Sequence, residues 1–309
     1  MERTAEDEGQ VDGGDVKLIT QPEAGVAPIV QAIRRARRSV HICIFRFDRP
    51  EMERALAAAV QRGVVVRALI AHTNRGGEAR LRKLEKRLLD AGLTVTRTAD
   101  DLLRYHGKFL VADDVLHVFG FNFTKLDIDK SRSFGLATRD KRTVQEALRL
   151  FEADATRNLY KPFRSNLVVS PNTSRAMLTA FLKGATKDLS IYDQKIQDPA
   201  IIKILKELAA SGVRVRVLGH LKGPDGHVVV RPLKTLRLHV RAMVRDGTRA
   251  YVGSQSLRKE ELDKRREVGL LINNPVVARA LLKVFDADWQ ASARKEGRKE
   301  EKKPEQAVA

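Results

Sequence analysis

The chain has 309 residues and carries 58 Lys plus Arg against 39 Asp plus Glu, a formal charge of +19, so it can hold one large domain or two ordinary ones and suits polyanionic partners. The termini do not carry this excess: residues 1–15 hold six acids and one Arg, and residues 293–309 hold six bases and four acids. A single cysteine, Cys43 in the apolar run SVHICIF, excludes an internal disulfide and a Cys-based zinc site and reads as core packing, while no apolar run reaches the length of about 18 residues that a spanning helix needs.

The start, MERTAEDEGQ, is acidic and has no apolar h-region, so the expectation is a soluble, cytoplasmic protein open to peripheral membrane contact. After this acidic tail (1–15), residues 32–72 read as a helix end, a short strand, a helix, Gly63 and a Val-rich strand. GEARLRKLEKRLLDAG then gives an amphipathic helix at 77–92. The apolar stretch RYHGKFLVADDVLHVFGFNFT (104–124) follows, read as a strand that projects His106 and Lys108 to one face and Gly107 to the other. A proton-transfer group beside a fixed positive charge suits an anion such as phosphate better than a metal ion. A helix containing RLFEADA closes the first copy, and TRNLYKPFRSN (156–166) is the junction.

The chain then repeats itself. Residues 181–220 retrace 32–72, with Gly212 for Gly63, but nothing corresponds to the helix at 77–92. YVGSQSL answers VFGFNFT, RREVGLLINN answers SRSFGLATRD, and KVFDADW answers RLFEADA. Strands alternate with helices early in each copy and crowd together later, with a tight turn at Asp246-Gly247. The expected fold is therefore α/β: two pseudo-symmetric αβα sandwich repeats, each with a mixed sheet, at 16–160 and 161–292, followed by a charged, disordered tail at 293–309.

In the second copy, LRLHVRAMVRDG places His239, Arg241 and Asp246 opposite His106, Lys108 and Asp113. The pattern H-x-[KR]-x(4)-D thus occurs twice at matching places. With these motifs the chain resembles the phospholipase D superfamily over about residues 16–292. The family's G-S-x-N element is similar to GFNFT (Asn122) and to GSQS, where Ser254 is kept and Ser256 replaces the Asn. Its downstream acid is matched by Glu267 in RREVGL, whereas the first copy has Ser133.

The resemblance implies that the repeats pack face to face around one shared site, so that a monomer suffices. It implies a metal-free and cofactor-free phosphodiesterase or phosphatidyltransferase in which His106 forms a phosphohistidine and His239 is the general acid and base. Glu267 is expected to orient His239. Lys108 and Arg241 would neutralise the phosphate, and Asn122, Ser254 and Ser256 would bond its oxygens or the histidine strands. Asp113 and Asp246 complete the catalytic motifs as hydrogen-bond partners rather than proton carriers. His41, His117 and His227 read as strand or loop positions, and His72 and His220 end equivalent strands. The substrate expected is a phospholipid at an anionic membrane surface, with Phe45, Phe47, Phe119, Phe121 and Phe123 lining an acyl path or packing the core. The alternatives are a nuclease of the same superfamily, for which AIRRARRSV would contact nucleic acid, and a catalytically impaired binder of anionic surfaces. Aromatic content of only 5% offers few stacking platforms for single strands.

Overall fold

The computed structural model describes residues 9–73 and 77–300. The first half runs β1 (Gln10–Asp12), β2 (Val16–Gln21), α1 (Ala27–Arg35), β3 (Ser39–Ile44), α2 (Pro50–Gln61), β4 (Val65–Ile70), α3 (Glu78–Asp90), β5 (Thr94–Arg97), β6 (Arg104–Tyr105), β7 (Phe109–Ala112), β8 (Val115–Phe119), α4 (Lys125–Asp129), β9 (Ser131–Thr138) and α5 (Lys141–Thr156). Residues 157–166 carry no regular element. The second half runs β10 (Leu167–Val169), α6 (Ser174–Lys183), β11 (Asp188–Ile196), α7 (Pro199–Ala210), β12 (Arg214–Leu221), β13 (Val229–Arg231), β14 (Arg237–Leu238), β15 (Arg241–Arg245), β16 (Arg249–Gly253), α8 (Lys259–Asp263), β17 (Arg265–Arg266), β18 (Val268–Asn273) and α9 (Pro275–Glu300).

Local chemistry sets the boundaries. α2 and α7 both open on a proline, whose missing N–H costs nothing in the first turn. Asp198 caps α7, accepting from the amides of Ala200 and Ile201, both at 3.1 Å. Both helices stop before a glycine in the left-handed region, Gly63 at φ 82° and Gly212 at φ 93°. The helix expected at 77–92 is α3, and β12 passes to β13 without one.

The sheet cores match strand for strand. One has the order β1-β2-β9-β8-β7-β3-β4-β5, with β14 added at the start of β9; the other is β10-β18-β16-β15-β11-β12-β13. β3, β4 and β5 are parallel, as are β11, β12 and β13, while β7 and β15 join their sheets antiparallel, so both sheets are mixed. α1, α2 and α3 cover the outer face of the first sheet with Ile29, Ile33, Leu56 and Leu84. α6 and α7 cover the outer face of the second with Leu178, Leu182, Ile201 and Leu205. The inner faces share one core with α5 and α9, through Leu150, Phe151, Leu281 and Phe285. The layers are therefore α-β-α-β-α, and the two sandwiches share their middle layer. Cys43 packs in this shared core.

Two boundaries differ from expectation. Gln10–Asp12 pairs with β2, so part of the acidic segment belongs to the sheet edge. α9 continues to Glu300, so residues 293–300 are helical. Residues 1–8 and 301–309 lie outside the described residues.

Candidate active site

The two histidine motifs are held by exchange between the halves. β6, just before His106, pairs parallel with β17 of the second half, and β14, just before His239, pairs parallel with β9 of the first. The His106 amide donates to the Arg266 carbonyl at 2.7 Å, and the His239 amide to the Arg132 carbonyl at 3.4 Å. Those two arginines are themselves anchored across the halves. Arg266 grips Asp154 of α5 at 3.0 Å, and Arg132 grips Asp288 of α9 at 2.8 Å. Arg132 also pairs with Glu23 at 2.7 Å; removing either arginine would strand a buried aspartate, at a cost of about 3–5 kcal/mol. Residues 106–108 lie between β6 and β7 rather than inside a strand. Gly107 is needed at this crossing, because a Cβ there would stand 2.9 Å from the Val268 side chain.

His106 is 8% exposed. The two oxygens of Glu267 lie 3.0 and 2.8 Å from its Nδ1. This corrects the expectation that Glu267 serves His239: the exchange of strands carries the second half's acid to the first half's histidine. Burial, together with the Lys108 and Arg241 cations, pulls His106 well below the usual histidine value and so disfavours the protonated ring. A neutral ring donating Nδ1–H to the carboxylate keeps its lone pair on Nε2, the tautomer a nucleophile requires. Burial pushes the Glu267 carboxyl up, with Lys108 and Arg241 opposing. Phe45 packs edge-on against His106, ring centres 4.4 Å apart.

His239 faces a different acid, Asp127, whose Oδ2 lies 3.5 Å from its Nδ1. Asp127 is fixed by the Asn122 side-chain amide at 2.6 Å and by Arg237 at 2.6 Å. Burial and Arg241 pull His239 well below the usual value, with Asp127 pulling the other way. Asp127 therefore favours the imidazolium while leaving Nδ1 without a close hydrogen bond. Sequence reading passed over Asp127 in TKLDID because no motif marks it; Glu261, at the matching place in α8, would have drawn attention to it.

Lys108 and Arg241 are both buried beside the two imidazoles, and each cation depresses both rings. The Lys108 Nζ donates to the His106 carbonyl at 2.7 Å, and burial pulls this amine down to about 7. The Arg241 Nε donates to Ser256 Oγ at 3.0 Å. Asn122 Oδ1 is buried and accepts nothing from any described residue. Ser254 accepts from the Val268 amide at 3.1 Å, and its side chain also hydrogen-bonds the Glu267 carboxylate.

Asp113 and Asp246 stand at the far ends of β7 and β15, away from the imidazoles. Each has a positive φ, 52° and 51°. Asp113 accepts from the amides of Arg37, Arg38 and Ser39 at 2.8–2.9 Å, and Asp246 from those of Thr186, Lys187 and Asp188 at 2.8–3.2 Å. Counted with the catalytic motifs as hydrogen-bond partners, they serve as such away from the imidazoles, tethering the loops that enter β3 and β11. Phe119, Phe121 and Phe123 are fully buried in the outer core of the first half and line no path. His41 and His117 are strand positions, in β3 and β8.

A family described as cardiolipin synthase, PLD-like domain, matches residues 29–155 and 178–289. The chain belongs to this PLD-like family. Among solved structures, polyphosphate kinase from Porphyromonas gingivalis superposes with a TM-score of 0.75 at 17% identity, over 89% of this chain and 47% of that one. Phosphatidylserine synthase from Haemophilus influenzae Rd KW20 superposes with a TM-score of 0.67 at 12% identity, over 93% and 89%. Both share the PLD-like fold described above. A curated relative, the mitochondrial cardiolipin hydrolase of Danio rerio, is 29% identical over 136 residues, 42% of this chain and 59% of that protein. The chain thus spans less than two thirds of that relative's length. No helix among the described residues is long and apolar enough to cross a membrane.

Proposed function

We propose that this chain is a phosphodiesterase or phosphatidyltransferase acting on phospholipid phosphodiesters through a phosphohistidine on His106. His106 Nε2 attacks phosphorus, a P–N bond forms, and the bond to the leaving alkoxide breaks. His239 gives that alkoxide its proton. His239 then takes a proton from water or an acceptor alcohol, whose oxygen attacks phosphorus and releases His106. Lys108 and Arg241 balance the charge that grows on the phosphoryl oxygens. Glu267 stabilises the positive charge that builds on His106 as it attacks, and Asp127 opposes the burial and the Arg241 charge that disfavour the protonated acid on His239.

The contact between His106 and Glu267 carries this reading, because it engages Nδ1–H, leaves the Nε2 lone pair of an unprotonated ring free to attack, and stabilises the charge the ring gains. The lipid substrate is supported by the family's description, by the relative named a cardiolipin hydrolase, and by apolar surface beside the motifs. Leu103 and Leu126 are 59% and 52% exposed; Leu103 lies three residues before His106, and Leu126 adjoins Asp127. Peripheral attachment to an anionic leaflet would place these side chains among lipids and the basic body against the headgroups. Both histidines belong to one chain, so a monomer completes the site. The test is turnover of phosphatidylglycerol and cardiolipin vesicles beside single- and double-stranded DNA. Release of headgroup or of a transfer product from vesicles alone supports the reading. Cleavage of DNA alone makes the chain a nuclease, and turnover of neither favours a binder of anionic surfaces.

A further inference from the structure

The two halves hold their motif cations by different means. Lys108 lies over Phe45, its Nζ 5.6 Å from the ring centre. Counted from the first residues of β3 and β11, Phe45 and Gln194 occupy the same place. Gln194 supplies what a phenylalanine cannot: its Oε1 accepts from Arg241 Nη2 at 3.0 Å, and its Nε2 donates to the Leu238 carbonyl, next to His239.

The backbone at Gln194 is shaped for this contact. The pairing of β11 with β12 shifts register between Asp193 and Ile196, so Gln194 and Lys195 together face His220 across a bulge. Gly219 opposite has φ 144°, and a Cβ there would stand 1.7 Å from the Asp193 carbonyl oxygen, so only glycine permits the close approach. The Asp193 carboxylate pins the bulge from within, accepting from the Lys195 amide at 2.8 Å and the Leu257 amide at 2.7 Å. β3 ends its pairing with β4 at Ile44, just before Phe45.

The second support of Arg241 also departs between halves. Ser256 stands where Asn122 stands in the first, each with its amide bonded to the helix carboxylate that follows, Glu261 at 2.6 Å and Asp127 at 3.1 Å. Its hydroxyl takes Arg241 Nε. With Nε and Nη2 held, Nη1 remains, buried and without a bond to any described residue. A buried guanidinium N–H without a partner is unfavourable unless a ligand supplies the acceptor.

We propose that Gln194 and Ser256 are positioning residues that lock the Arg241 guanidinium so that Nη1 donates to a phosphoryl oxygen. The inference rests on the reading of the site as a phosphodiester site and adds how its second half meets the anion. Arginine, serine and glutamine thus form one unit in place of the lysine, asparagine and phenylalanine of the first half. Arg241→Lys removes the fork and leaves Gln194 nothing comparable to orient.

The test is a double-mutant cycle on the full chain. Binding of inorganic phosphate is measured by calorimetry, with turnover of bis(p-nitrophenyl) phosphate and Tm recorded alongside. Gln194→Met keeps the side-chain length and removes both polar atoms. It is expected to weaken phosphate binding roughly tenfold, as for one lost charge-assisted hydrogen bond, and to change it less than about twofold once Arg241→Lys is present. Ser256→Ala should show the same dependence on Arg241, and it carries the test if Gln194→Met does not fold. Equal losses with and without Arg241→Lys, or unchanged phosphate binding in a variant with native Tm, overturn the proposal, as does a wild-type chain that binds no phosphate. A wild type that binds phosphate with this cycle but turns over no phosphodiester overturns the catalytic reading and leaves the positioning intact.

Discussion

Lys108→Met separates the needs of the site from the needs of the fold. Lys108 is 1% exposed, and burial pulls its amine from 10.5 to about 7. At about 1.4 kcal/mol per pH unit, this displacement corresponds to a penalty on the order of 5 kcal/mol for keeping the charged amine in the folded chain. The sign follows from proton binding. Between pH 7 and 10.5 the unfolded chain holds a proton that the folded chain has lost, so stability rises with pH across that window. Below about 7 the full penalty is present. Methionine fills a similar volume without charge and forgoes the bond to the His106 carbonyl, worth about 1 kcal/mol. The variant should therefore be more stable than wild type by roughly 2–4 kcal/mol at pH 6, several degrees in Tm, with the gain disappearing towards pH 10.5. Turnover should fall on the order of 10²–10³. In the wild type, loss of the Lys108 proton above about pH 7 should weaken phosphate binding. Calorimetric melts from pH 6 to 10 measure the stability difference. A variant less stable than wild type at pH 6, or an offset that ignores pH, refutes the argument.

Glu267→Gln should lower kcat on the order of 10²–10⁴ with Tm nearly unchanged, whereas Asp113→Asn, far from the imidazoles, should lower Tm and spare kcat; steady-state kinetics with thermal melts distinguish the two. Leu103→Asp with Leu126→Asp should reduce vesicle binding and vesicle turnover while leaving hydrolysis of bis(p-nitrophenyl) phosphate within about twofold; equal losses on both substrates would contradict a lipid-facing surface. Residues 1–160 and 161–309 expressed separately should be inactive or insoluble, because each His strand pairs with the other half and the Arg132 and Arg266 anchors would be stranded; full activity from either half as a monomer would refute a shared site.

The duplication was legible because equivalent residues recur in order: Gly63 with Gly212, His106 with His239, Asp113 with Asp246. The missing second helix was legible as a shorter path between matched residues. What sequence could not supply was which half's acid meets which half's histidine. Glu267 follows the second motif along the chain, and only the pairing of β17 with β6 carries it to His106. Asp127 and Gln194 were hidden for a related reason: the first is placed by a five-residue helix and the second by a bulge, and neither leaves a periodic signal. Asp113 and Asp246 were legible in kind but not in partner. Their place in the motif marked them as hydrogen-bond partners but not of what: at positive φ each uses its carboxylate to gather the amides of a neighbouring loop.

The most direct measurement is acid-quenched trapping of the intermediate. Wild-type chain mixed with radiolabelled phosphatidylglycerol vesicles, quenched during turnover and digested, should carry the label on the peptide containing His106, and Glu267→Gln should reduce its rate of formation. Label on the peptide containing His239, or turnover that proceeds with no labelled histidine, would contradict the assignment of His106 as the nucleophile.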